Sequence, residues 1–211
     1  MTELQHASTD CTQTSSRLLE AARVVFSQHG FQRATVREIC ALADANVAAV
    51  NYHFGSKEEL FSQALNFNRL KALQAASIDP DINPEARLRL FVRDFMLILL
   101  DEQHASSQCR MMARELADPT PVLDKIVHEA IAPLHAFVGR LLGQIVIAPI
   151  EEATLKRYVY SLFGQCLFYR NSHPVLQRLN PDLSYDIAQI EAIAQHISDF
   201  TLAALNAKIP D

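Results

Sequence analysis

The stretch from Thr35 to Lys57, TVREICALADANVAAVNYHFGSK, leaves this chain few conformational choices. Thr35, followed three residues on by Glu38, spells a capping box, so the spacing predicts a helix from Val36. Ile39 and Ala43 keep one side of that helix apolar. Asp44 then marks a turn, because Asp is one of the few non-glycine residues that tolerates left-handed backbone. Asn46 is placed to cap a second helix running through Val50 to Tyr52. Ser56 and Glu59 repeat the capping-box spacing for a third. Helices of one or two turns are marginal alone in water, so this pair must pack on neighbours. The commonest use of such a pair is to set one helix into the major groove of DNA.

The flanking sequence reads as helix throughout. Leu18, Leu19, Ala22, Val25 and Phe26 recur at three- and four-residue steps, which predicts a first helix over about 15–29. Gly30 is placed to end it, with Phe31 supplying the accompanying apolar contact. Residues 1–14 are polar and are expected to be a disordered tail. A longer helix is expected from Lys57 towards Ala76. Pro80 and Pro84 mark a linker. Helices then follow over about 85–102, 105–117, 121–145 (with Pro133 kinking or interrupting it), 150–171 and 184–207, with a loop carrying Pro174 and Pro181 before the last. The fold class is all-α. A helix-turn-helix head over 15–57, with the motif itself at about 35–54, precedes a larger helical body over 58–207.

Charge bears on the partner. The net charge is −5, yet residues 11–57 carry five basic and three acidic side chains, a local +2. A field of that size on a docking face suits duplex DNA when two copies act together, with affinity falling steeply as salt rises. The N-terminus lacks the order of a signal peptide, and apolar runs such as Met96–Leu100 are too short to span a bilayer. A cytoplasmic protein with no membrane partner is expected. Cys11, Cys40, Cys109 and Cys166 show no paired spacing and read as reduced thiols.

The order of motifs, a helix ending in Gly30-Phe31, then ATVREI, then a short helix closing on Tyr52-His53-Phe54, then GSKEELF, resembles the TetR family of bacterial transcriptional regulators. The later segments CRMMARELADPTPVLDKIVHEAIAPLH and FGQCLFYRNSHPVL resemble the branch of that family with a CecR-type C-terminal domain. The resemblance implies a homodimer whose heads bind a palindromic double-stranded operator. It implies bodies that bind a small molecule and then release the DNA. CecR-like members are often associated with genes for export of toxic compounds. On the family's geometry Thr35 and Arg37 face a phosphate, and Tyr52, His53 and Lys57 grip the backbone on the other flank of the groove. Asp44 and Val47 depart from the family's usual glycine and polar residue.

The segment from Asn46 to Asn51 is the expected reading helix. Asn51 suits an adenine, and Val47 or Ala49 a thymine methyl. With no Arg or Lys on it, part of the specificity is expected to come from DNA shape. In the body, Leu155, Tyr158, Val159 and Leu162 form one stripe, and Ile190, Ala194, Ile197 and Thr201 another. Periodicity leaves two readings open, packing on the same chain or on a partner; the resemblance implies a dimer interface. An apolar or amphipathic effector is expected among Phe95, Met96, Leu99, Met112, His128, Phe137, Phe163, Gln165 and Phe168. Arg114, Glu115, His135 and Arg170 are further polar candidates.

No cofactor, metal site or catalytic residue is expected. HExxH, P-loop and GxSxG patterns are absent. The competing reading is a helical metal-binding protein or enzyme, using His128 with His135, or Cys109 with Met111 and Met112.

Overall fold

In the computed structural model, which describes residues 2–76, 81–100, 106–147 and 149–207, the capping signals close as spelled. Thr35 Oγ1 accepts from the Glu38 amide at 3.2 Å, and Glu38 Oε2 accepts from the Thr35 amide at 2.9 Å. That box starts α2 (Val36–Leu42). At its end Ala45 N–H donates to Cys40 O and Asp44 N–H to Ala41 O, the paired closure of a Schellman turn, with Asp44 at φ 48°. Asn46 Oδ1 accepts from Ala48 N–H at 2.9 Å and caps α3 (Val47–Phe54). Gly55, at φ 76°, ends α3, and Ser56 caps α4 (Lys57–Leu65). Here the box stays half made: Ser56 Oγ accepts from Glu59 N–H, while the Glu59 carboxylate turns to Gln63 and Lys125.

Three expectations change, and the interruption expected at Pro133 is present but falls earlier. The first helix, α1, runs from Thr2 to Arg33 in place of a tail followed by a helix from residue 15; no Pro or Gly interrupts it before Gly30, which breaks the helical path at φ 72°. The long helix from Lys57 is two helices, α4 and α5 (Asn68–Ala76), because Asn66 is left-handed at φ 45°. The loop around Pro174 holds a short helix, α11 (His173–Leu179), where Pro in the first turn has no N–H to waste. Pro133 acts one turn early: a π-helical turn, Val127–Ile131, separates α8 (Val122–Ile126) from α9 (Ala132–Ile145). The remaining helices are α6 (Pro84–Leu100), α7 (Ser106–Ala117), α10 (Glu152–Asn171) and α12 (Ile187–Asn206), and the described residues contain no strand. Pro80 lies outside the described residues.

Contacts group the chain into two compact units, one drawn from residues 1–67 and 103–127, the other from 68–102 and 128–211. The first exceeds the expected head of 15–57. Leu18, Phe26, Ile39, Leu60 and Phe61 are fully buried together there, with the Phe26 and Phe61 rings edge to face at 4.9 Å. α7 packs on α1 and α4, and α8 on α4. Glu115, 2% exposed, accepts from both the amide and hydroxyl of Thr120 at 2.7 Å, which fixes the α7–α8 corner. Lys125 of α8 pairs with Glu59 of α4. In the second unit α6, α9, α10 and α12 enclose a core that includes Leu88, Phe91, Met96, Val138, Leu162 and Ile197.

Candidate nucleic-acid interface

α3 is held by its inner face and open on its outer one. Val50 and Phe54 are buried, and Ala49 and His53 are half-buried. Val47, Ala48, Asn51 and Tyr52 are exposed, Val47 at 44% and Tyr52 at 78%. Those four stand at i, i+1, i+4 and i+5, one continuous face of a helix. Arg37 is exposed on α2 and Arg33 at the end of α1.

Several of the expected contact residues have partners within the chain. Asn46 turns its side-chain oxygen to the cap, where it accepts from Ala48 N–H. Ala49 is half-buried, and the exposed small residue is its neighbour Ala48, to which the sequence pattern assigns no contact of its own. Thr35's hydroxyl donates to Glu38 Oε2 at 2.9 Å while accepting from the Glu38 amide. These bonds to Thr35, first to its amide and then to its hydroxyl, hold the Glu38 pKa below the usual 4.5. Lys57 is half-buried, its ammonium 4.4 Å from the centre of the Phe31 ring, and desolvation lowers its pKa. The spacing of Phe31 and Lys57 in sequence gives no sign of this contact. His53 lies against Tyr52 and Phe54.

The body residues divide differently from expectation. Of the expected interface stripes, Val159, Leu162, Ile190, Ala194, Ile197 and Thr201 are buried within their own chain, and Leu155 and Tyr158 are half-buried. Tyr158 Oη donates to Ala204 O at 3.3 Å. The more apolar side of each helix is the side its own core takes. The outward sides carry Tyr160, Gly164 and Phe168 on α10, and Ala192, His196, Phe200 and Ala203 on α12. Both sets recur at three- or four-residue steps, a weaker periodicity than that of the apolar stripe opposite, and this spacing is the sequence signal that marks them.

Of the expected effector residues, Phe95, Met96, Phe137 and Phe163 are buried, and Leu99 is packed beside them. Phe95 and Phe163 rings meet edge to face at 5.5 Å, and His135 stacks on Phe163 at 4.4 Å, its pKa lowered by desolvation. Gln165 is half-buried; His128 and Phe168 are at the surface. Met112 belongs to the first unit. Arg114 is exposed, Glu115 is committed to Thr120, and Arg170 is half-buried. A groove of about 440 Å³ between α6 and α12 is lined instead by Arg89, Leu90, Arg93, Glu191, Gln195 and Asp199, whose charges pair as Arg89–Asp199 and Arg93–Glu191.

Residues 18–64 match the family described as bacterial regulatory proteins, tetR family, and residues 84–205 match the HTH-type transcriptional dual regulator CecR, C-terminal domain. Over 211 residues the chain is 37% identical to the HTH-type transcriptional repressor NicS of Pseudomonas putida, covering 91% of this chain and 92% of that protein. It is 26% identical over 198 residues to the dual regulator CecR of Shigella flexneri, covering 88% of each. Among solved structures, AibR in complex with isovaleryl coenzyme A and operator DNA superposes with a TM-score of 0.64 at 19% identity, over 89% of this chain and 97% of that one, a likeness of fold. The chain belongs to the TetR family of bacterial transcriptional regulators, which are not enzymes, and its C-terminal domain is of the CecR type.

Proposed function

We propose that this regulator is a dimeric repressor that binds a palindromic operator through α3 and is released by a small apolar or amphipathic effector. The observation that carries the reading is the outward face of α3, Val47, Ala48, Asn51 and Tyr52, set on a turn with both ends capped. Arg37, with Tyr52, His53 and Lys57 on the opposite flank, positions that helix on the phosphates without reading sequence. The relative NicS is named a repressor, which favours repression; the AibR complex holds both isovaleryl coenzyme A and operator DNA.

Dimerisation is assigned to the outward faces of α10 and α12. Gly164 lies between Tyr160 and Phe168 with open space beside it, and Ala192 and Ala203 flank His196 and Phe200, so a second copy can approach closely between aromatic ridges. The effector is assigned to the aromatic cluster of Phe95, Phe137 and Phe163, where the His135 imidazole offers a polar contact. Among the described residues the chain passes between the two units at the α4–α5 junction and within the π-helical turn. Effector binding shifts the population towards a body geometry that moves these crossings, and the two reading helices lose their match to half-sites about 34–36 Å apart. A hundredfold release requires about 2.8 kcal/mol of differential affinity. Genes for export of toxic compounds are the first targets to test.

Selection from a random duplex library with the purified protein tests the reading. The expected product is an inverted repeat whose enrichment is lost in the Asn51→Ala variant at one base pair per half-site. Enrichment of nothing beyond the starting pool contradicts it.

A further inference from the structure

We propose that Val47 reads the 5-methyl group of a thymine in each half-site, making this a regulator whose direct readout selects A·T pairs by a methyl contact beside the Asn51 amide. The inference rests on the DNA-binding reading above. It is carried by what the exposed face of α3 contains and lacks. Guanine is selected by a forked pair of donors on Arg or Lys, and cytosine by a carboxylate acceptor. The outward side chains of α3 are Val47, Ala48, Asn51 and Tyr52, with no charge among them. Asn46, the other amide at this end, has its acceptor fixed by Ala48 N–H at 2.9 Å. Of the four outward side chains Asn51 is the one that carries an amide, and its paired donor and acceptor match adenine N6 and N7.

Val47 is one turn before Asn51 on the same side. A four-residue step advances about 6 Å along the helix axis, or roughly two base-pair steps at 3.4 Å each. A thymine two pairs or fewer from the Asn51 adenine therefore brings its methyl under Val47. An isolated exposed valine is ordinary on a protein surface. This one stands at the first position of the reading helix, where a β-branched residue is a poorer helix former than the alanine beside it, and 44% of it is open. Ala49, the other residue suited to a methyl, is half-buried, whereas Val47 is exposed.

Thymine-to-uracil exchange removes only that methyl, and 5-bromouracil replaces it with an atom of similar size. Starting from a duplex enriched by the protein, each thymine is exchanged in turn, and binding is measured by fluorescence anisotropy for the wild type and for Val47→Ala. Circular dichroism confirms that the variant folds, as expected for an exposed Val to Ala change in a helix. For the wild type, one thymine per half-site should lose about fourfold in affinity as uracil, and about sixteenfold when both half-sites are exchanged. The 5-bromouracil duplex should restore binding. Val47→Ala should bind the thymine and uracil duplexes equally. Affinity unchanged at every uracil position overturns the methyl contact, and a penalty of the same size in Val47→Ala overturns its assignment to Val47. Failure to enrich any duplex overturns the underlying DNA-binding reading and takes this inference with it.

Discussion

Asp44 occupies the left-handed position of a Schellman turn, at φ 48°, where glycine carries no steric penalty. Asp reaches that region at a cost that a β-branched residue cannot meet cheaply. Asp44→Gly should raise stability by about 0.5–1 kcal/mol and Asp44→Val should lower it by about 1–2 kcal/mol, read as shifts in urea midpoint. Glu38 gives a pH test. Its bonds to Thr35 depress its folded pKa below the ordinary 4.5. Its stabilising contribution is complete above the unfolded value and is lost as pH falls through the folded one. The urea midpoint of the wild type should therefore fall on acidification more than that of Glu38→Gln; equal falls would remove Glu38 from the acid response. At this scale the caps at Thr35, Asn46 and Ser56 are legible because a cap is a local rule on residues two or three apart. The Lys57–Phe31 contact is not, because it depends on how two helices meet.

α7 and α8 show the same limit for elements. Their helical pattern is plain in sequence, but nothing local says that they pack beside α1 and α4, with Lys125 reaching Glu59 across 66 residues. Both side chains are partly solvated, so a double-mutant cycle on Glu59→Gln and Lys125→Met should return a modest coupling, about 0.2–1 kcal/mol, that shrinks with salt. α10 and α12 are plainly amphipathic in sequence, yet the stripes that the resemblance points at a partner are claimed by the chain's own core, because they are the more apolar. The outward residues are the testable ones. Tyr160→Glu with Phe200→Glu changes only exposed positions, so the double variant should fold yet sediment at half the wild-type mass. A wild-type mass for that variant would move the dimer contact elsewhere on the molecule.

For the whole molecule, a chain of net charge −5 belongs to a DNA-binding family and keeps a local basic surplus over residues 11–57. Its all-α class, its helix-turn-helix order and its family are legible because they rest on short capped segments. The sharing of residues 103–127 with the first unit is not, since distant contacts decide it. The wild type and Arg37→Ala, titrated into a labelled, enriched duplex while salt is raised from about 50 to 200 mM, provide the most direct test. Affinity should fall by orders of magnitude across that range for the wild type. Arg37→Ala should bind more weakly at every salt and with a shallower slope, by about one unit for each phosphate contact removed. Binding that ignores salt, or an Arg37→Ala slope identical to the wild type's, would contradict a duplex gripped at its phosphates beside α3.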